Sequence, residues 1–153
     1  MIALLLAAGL LAGDLDAKGV HGAVQAKKGR PVVVNLWATW CAPCVAEFPG
    51  LVALAKERKD VAFISVTIDD PADRAAVETF LKKQQPTFPV YLKAAGSDEA
   101  FIAGIDEKWS GAVPLTLIYD ATGKKTAQIE GEATRKSIEA ALPAAKAKPG
   151  PKP

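Results

Sequence analysis

The segment that most restricts the fold is Pro31-Val-Val-Val-Asn-Leu-Trp37, followed four residues later by Cys41-Ala-Pro-Cys44. A short β-branched run bounded by Gly29 and Pro31 predicts a buried strand. From Val45 to Lys59 the composition turns helical, with Phe48, Leu51, Val52, Leu54 and Ala55 supplying an apolar face. The cysteine pair therefore falls at a strand-to-helix junction. Pro49 lies inside the expected helix, where it removes a hydrogen bond and bends the axis, a structural and not a catalytic role.

The rest of the chain extends this unit. Val61 to Ile68 is expected to be a second strand, and Asp70-Pro71 opens a helix by a cap followed by proline at the first helical position. Val77, Phe80, Leu81 and Gln84 mark its inward stripe, and Pro86 ends it. Val90 to Leu92 suits a short strand, and Ser97-Asp-Glu caps a brief helix through Ile102. Leu115 to Tyr119 and Lys125 to Glu130 suit two strands joined by a tight turn over Asp120-Ala-Thr-Gly123. Thr134 caps a last helix with Ile138, Ala141 and Leu142 on one side. A β-α-β unit requires a parallel pair with a right-handed crossover, and the terminal hairpin adds antiparallel strands. The expected fold is α/β, a central mixed sheet with helices on both faces and an insertion between the βαβ and ββα units. Asp14 to Arg30 carries only Val20 and Val24 as candidates for a short edge strand or hairpin and is otherwise expected to be a connector.

The ends differ from this body. Ile2 to Ala12 is an uncharged apolar run of eleven residues, too short to span a bilayer at about 20 residues but of the length of a signal-peptide h-region. Residues 1-13 are therefore expected to be a signal peptide or an N-terminal anchor. No Lys or Arg precedes the run, so an n-region is missing or lost through a misplaced start; the alternative is a buried helix or strand of the domain. No Cys follows it, so a lipoprotein anchor is not indicated. Residues 14-143 make the expected domain. Residues 144-153 alternate Pro, Gly, Ala and Lys with no core face and are expected to be a disordered tail.

Charge and residue counts remove several functions. Three of the 19 basic side chains (Lys146, Lys148, Lys152) lie in the last eight residues; without them 16 cations face 17 carboxylates. A near-neutral body with no basic stripe gives no reason to expect a nucleic-acid partner. Two cysteines and one histidine cannot build a four-ligand zinc site from one chain, so no metal and no cofactor is expected. His21, in a Gly-rich stretch, is expected to be an exposed residue and not a ligand. Asp69, Asp70 and Asp73 are expected to cap a helix and offset its dipole, and are assigned no function.

The chemistry rests on Cys41 and Cys44. Two cysteines three apart at the opening of a helix can close a small reversible disulfide. The first sits where unpaired backbone N–H groups and the helix dipole favour thiolate, which lowers the pKa of such thiols to between about 3.5 and 7.5. Cys41 is the natural nucleophile. Cys44, one turn on, can attack the mixed disulfide that Cys41 forms, and Pro43 stiffens the bridge. A c-type haem site would need His where Val45 stands. A peroxidatic cysteine would need Thr three residues ahead, whereas Thr39 is two ahead. A purely structural disulfide remains the main rival.

The run Val32-Val-Val-Asn-Leu-Trp-Ala-Thr-Trp-Cys-Ala-Pro-Cys-Val-Ala-Glu-Phe-Pro49 resembles the active-site segment of the TlpA/ResA type of extracytoplasmic thioredoxin-like proteins. The likeness extends more loosely through Gly111-Ala-Val-Pro114-Leu-Thr-Leu-Ile-Tyr-Asp120 and Gly123, covering roughly Gly29 to Leu142. The resemblance implies a thioredoxin-like fold and a thiol:disulfide oxidoreductase, a reductase of protein disulfides by dithiol exchange. It implies a periplasmic or extracytoplasmic place, with the N-terminus as a candidate membrane anchor. Its implied partners are protein substrates with disulfides or thiols, apocytochrome c and copper-site assembly proteins among them, and a membrane electron donor. A monomer is expected. A dithiol oxidase and a copper or haem-delivery chaperone using the two thiols are the alternatives; the second would prefer Met or His near the cysteines, and the single Met is the initiator.

The same resemblance assigns further residues. Asn35 stands where cytoplasmic thioredoxins carry a buried aspartate, and its amide cannot accept a proton in that way. Glu47, three residues beyond Cys44 and on the same side of the helix, is the candidate to handle the Cys44 proton; the alternative is a solvated helix glutamate. Val113-Pro114 matches the superfamily's cis-proline, so that Val113 would offer its backbone to an extended substrate. Trp40 is expected at the rim where partners dock and Trp37 in the core, while Trp109 is left undecided between surface and core.

Overall fold

The computed structural model describes residues 11–143. The proposed tail 144-153 and all of the apolar run except Leu11 and Ala12 lie outside the described residues. Six strands form one mixed sheet: β1 (Asp14–Leu15), β2 (Val32–Trp37), β3 (Ala62–Thr67), β4 (Val90–Lys93), β5 (Leu115–Tyr119) and β6 (Lys125–Glu130). Their spatial order is β1-β4-β3-β2-β5-β6. The first four run parallel, and β5 and β6 each pair antiparallel with the preceding neighbour in that order.

Side-chain alternation along the strands separates two apolar layers. Val33, Trp37, Phe63 and Ile118 point to one face, covered by α2 (Ala42–Glu57), α3 (Arg74–Gln84) and α5 (Arg135–Ala141). Val32, Val34, Leu36, Ile64 and Leu117 point to the other, covered by α1 (Ala17–Gln25) and α4 (Asp98–Ile105). Trp37 stacks at 4.8 Å from Phe48 and 5.0 Å from Phe80, so the strand that leads to the cysteines is fixed to α2 and α3 by an aromatic cluster. Trp37 is core, as expected.

Most boundaries follow their sequence signals. Ser97 caps α4 through Ala100 N–H, and Thr134 and Ser137 form a reciprocal capping box on α5. Asp70 caps a single 3₁₀ turn (Pro71–Asp73) that leads into α3. The segment after the apolar run is the correction. Asp14 to Arg30 is not a connector with an edge strand at Val20 and Val24: those residues lie four apart on α1 and are fully buried against the sheet. The missed signal is Asp16, whose carboxylate accepts from Gly19 N–H as the helix cap. A helix with two glycines has weak intrinsic propensity, so packing decides its state. His21 ties α1 to α4, its Nε2 lying 2.7 Å from the Gly104 carbonyl oxygen. The helices approach so closely there that a Cβ on Gly104 would lie 2.6 Å from that of Ala17.

Candidate functional site

The cysteine pair sits at the carboxyl end of β2, where the parallel strands finish. Cys41 is the N-cap of α2 and Cys44 lies in its first turn, and the two are joined as a disulfide with Cα atoms 5.2 Å apart. The two sulfurs are not equivalent. Cys41 keeps 6% of its surface in solvent, whereas Cys44 is fully buried beneath it. Cys41 Sγ accepts from Cys44 N–H at 3.3 Å, so a backbone dipole points at the outer sulfur.

The opposite wall is the loop before β5. The Val113-Pro114 peptide is cis, and the Val113 carbonyl oxygen lies 3.6 Å from Cys41 Sγ. Trp109, undecided from sequence, is buried, and its indole N–H donates to the Ala112 carbonyl at 2.9 Å, bracing this loop from the α4 layer. Gly111 is required there: its φ is +90°, and a Cβ would meet Ile102 Cδ1 at 2.6 Å. Trp40 stands on the rim, 66% exposed, the one large apolar side chain left in solvent among the described residues. It borders a cleft shared with Ile68, Asp70, Pro71 and Lys93.

Glu47 lies on α2 three residues beyond Cys44 and is held from two sides. Asn35 Nδ2 donates to Glu47 Oε1 at 3.0 Å, and Ala133 N–H donates to Oε2 at 2.7 Å. Burial pushes the Glu47 carboxyl above its ordinary 4.5, aided by nearby Glu132 and opposed by the two hydrogen bonds. Asn35, whose amide cannot itself take up a proton, is therefore a hydrogen-bond donor to Glu47. Strand register extends the polar strip: Ser65 and Thr116 pair with Asn35 from its two sides, and both are buried on the α2 face. Thr116 and Glu47 together line a small cleft of about 160 Å³ next to Ala133.

One site residue was misread from the sequence. Asp69 does not cap a helix. It is fully buried past the end of β3 and accepts from Thr39 N–H at 2.9 Å, from Thr39 Oγ1 at 2.6 Å and from the Thr67 hydroxyl. It fixes the Thr39-Trp40-Cys41 turn to the neighbouring strand. Ile68 N–H continues the pairing with Trp37 O and so keeps residue 69 beside residue 39, a register that the local sequence does not signal. Asp70 alone does the capping expected of the cluster, and Asp73 makes no side-chain cap bond. Among the described residues no group of three His, Cys, Asp or Glu side chains could hold a metal ion.

The chain is similar to known proteins over most of its length. The Redoxin family profile matches residues 14–142. The thiol-disulfide oxidoreductase ResA of Bacillus thuringiensis subsp. konkukian is 30% identical over 128 residues, covering 82% of this chain and 68% of the relative. ResA of Bacillus subtilis is 28% identical, over 80% of this chain and 65% of its own. A secreted Mycobacterium tuberculosis disulfide oxidoreductase homologous to E. coli DsbE shares the fold with a TM-score of 0.61 at 23% identity, covering 76% of this chain and 82% of the other.

Proposed function

Because the chain belongs to the Redoxin family, as a ResA-type thioredoxin-like thiol-disulfide oxidoreductase acting on protein thiols and disulfides, we propose that it works as a reductase, with Cys41 as nucleophile and Cys44 as resolving thiol. In the dithiol form the Cys41 thiolate attacks one sulfur of a substrate disulfide, and the substrate's other sulfur leaves as thiolate. Cys44 then loses its proton and attacks Cys41 Sγ. The mixed disulfide breaks, the second substrate thiolate departs, and two electrons have passed from the enzyme to the substrate. The residual 6% exposure of Cys41 and the complete burial of Cys44 suit this order.

The observation that carries the direction is the half-buried Glu47 one helical turn from Cys44, held by Asn35 and Ala133. A carboxylate there opposes a thiolate on Cys44 and so disfavours the reduced, ionised pair relative to the disulfide. Strong oxidants of this superfamily do the reverse, stabilising their reduced form. The pKa of Glu47, raised by burial, also suits it to take the Cys44 proton. Substrate would lie along Val113, whose backbone faces Cys41, with Trp40 and Pro114 as the two sides of the dock.

The wider setting belongs to the same reading: an exported protein in the periplasm or an equivalent extracytoplasmic space, residues 1-13 a signal peptide or anchor, residues 14-143 the working domain and 144-153 a tail. A membrane dithiol donor would re-reduce the monomer, and apocytochrome c is the substrate class favoured by the resemblance. Among the described residues no helix is long and apolar enough to cross a membrane. Equilibration of the Cys41-Cys44 couple with glutathione buffers tests the direction. A midpoint near the thioredoxin value of about −270 mV is expected, and one at or above about −180 mV would make the protein an oxidase or isomerase.

A further inference from the structure

Beyond the redox site, we propose that the end of the sheet opposite the cysteines is a docking face for the headgroups of an anionic phospholipid membrane. The parallel strands all begin at this end. Here α2 finishes, about 24 Å from its start at 1.5 Å per residue, and a cleft of about 620 Å³ opens between it, the first residues of β3 and the segment just before β4. Its floor is apolar, with Val61, Phe63 and Phe88, and its rim is cationic, with Lys27, Arg30, Lys56 and Lys59. Among the described residues none of these four cations forms an ion pair. The nearby carboxylates are already engaged: Asp60 by Arg58, Glu57 by Arg135, and Asp120 by the donors of its own turn. Lys82 and Lys83 in the last turn of α3 add charge of the same sign toward that end.

The path of the chain selects a membrane as the occupant. Ala12 N–H donates to the Val90 carbonyl at 2.8 Å, so the chain enters the sheet beside Pro89, which borders the cleft. The uncharged run Ile2 to Ala12 immediately precedes that point. The point where the described chain enters the sheet and an unpaired cationic rim thus share one end of the molecule. With that end on an anionic surface, phosphate oxygens would meet the four cations and glycerol carbons the apolar floor. The disulfide would point away from the bilayer.

The inference does not depend on the direction of electron flow, and its test is separate from any redox assay. The full chain and a quadruple variant, Lys27→Gln, Arg30→Gln, Lys56→Gln and Lys59→Gln, are sedimented with vesicles of phosphatidylcholine alone and of phosphatidylcholine with 30% phosphatidylglycerol. The apolar run and the tail lysines are unchanged between the two proteins, so the difference between them reads the cleft. Each Lys or Arg held at an anionic surface strengthens binding about fivefold. Engagement of only two of the four therefore predicts at least about a twentyfold preference for the anionic vesicles at low salt, falling at 0.3 M salt and lost in the variant. Insulin reduction by the variant is expected to be unchanged, which also verifies its folding; the double variant Lys56→Gln, Lys59→Gln, at exposed positions in the last turn of α2 and just past its end, stands in if the quadruple one is inactive. An anionic preference retained in a folded variant, or absent from the parent chain, overturns the proposal. Displacement by 10 mM inorganic phosphate beyond that of chloride at equal ionic strength overturns the membrane reading too, in favour of a free-phosphate site.

Discussion

Replacing Glu47 by Gln separates proton handling from charge. Cβ atoms three residues apart on a helix lie about 5–6 Å from each other. At an effective dielectric of about 20, a full charge on Glu47 would oppose a Cys44 thiolate by about 3 kcal/mol. The carboxyl is only half-buried, so solvent screening cuts this to about 1–1.5 kcal/mol, or about one pKa unit. Charge removal alone therefore predicts a Cys44 thiol about one unit more acidic and a faster second step. Loss of a proton acceptor predicts the opposite, since a positioned base contributes about 10²-fold or more. The expected result is that decay of the Cys41 mixed disulfide, followed by stopped-flow from pH 5 to 9, slows at least about tenfold at pH 7 and changes the shape of its pH dependence. Stability should move much less. Gln can accept from Ala133 N–H while its amide donates to a flipped Asn35, so both partners stay bonded. Because the folded carboxyl titrates above its ordinary 4.5, ionising it costs folding free energy. That cost is absent below the unfolded value and enters as pH rises through the folded one, so the variant should gain on the parent in that direction. An exchange profile equal to the parent's, or one merely faster and shifted to lower pH, would refute the proton-handling role.

Cys41→Ser is expected to abolish insulin reduction, whereas Cys44→Ser should leave a thiol that traps substrate as a mixed disulfide on non-reducing gels; equal trapping by both would undo the assignment of nucleophile and resolver. Asp69→Asn offers one acceptor oxygen where three donors converge and should lower stability in urea by about 2–4 kcal/mol, one or two buried donors being left unpaired at about 1–3 kcal/mol each. Val20→Ala should cost about 2 kcal/mol by removing two buried methyl groups and leaving a cavity; a loss below about 0.5 kcal/mol would mean that α1 is not part of the cooperative core.

The elements that could be recognised in advance are those whose information is local. Pro31 to Trp37 is a strand by composition, Thr134 and Ser97 announce their helices by capping chemistry, and the CxxC pair announces its own reaction. What escaped depends on contacts across the chain. Val20 and Val24 are helical because the α4 layer and the sheet receive them on one side, and the two glycines between Ala17 and Gln25 concealed this. Asp69 resembled its exposed neighbours Asp70 and Asp73, and only the register of β2 on β3 separates a buried anchor from a cap. The place of Glu47 followed from the helix period, but its partners did not: Ala133 lies 86 residues away, and the Asn35 contact depends on which face of β2 meets α2.

Between the two buried sulfurs the chain comes to the surface. Ala42 and Pro43 are exposed, while Cys41 and Cys44 on either side of them are not. The connecting dipeptide therefore works as an adjustable setting mounted outside a fixed instrument. Residues can be exchanged there to retune how willingly the pair gives up electrons, with the aromatic packing around Trp37 and Phe48 left undisturbed. A panel of variants differing only at these two positions should spread in midpoint potential while unfolding at nearly the same denaturant concentration.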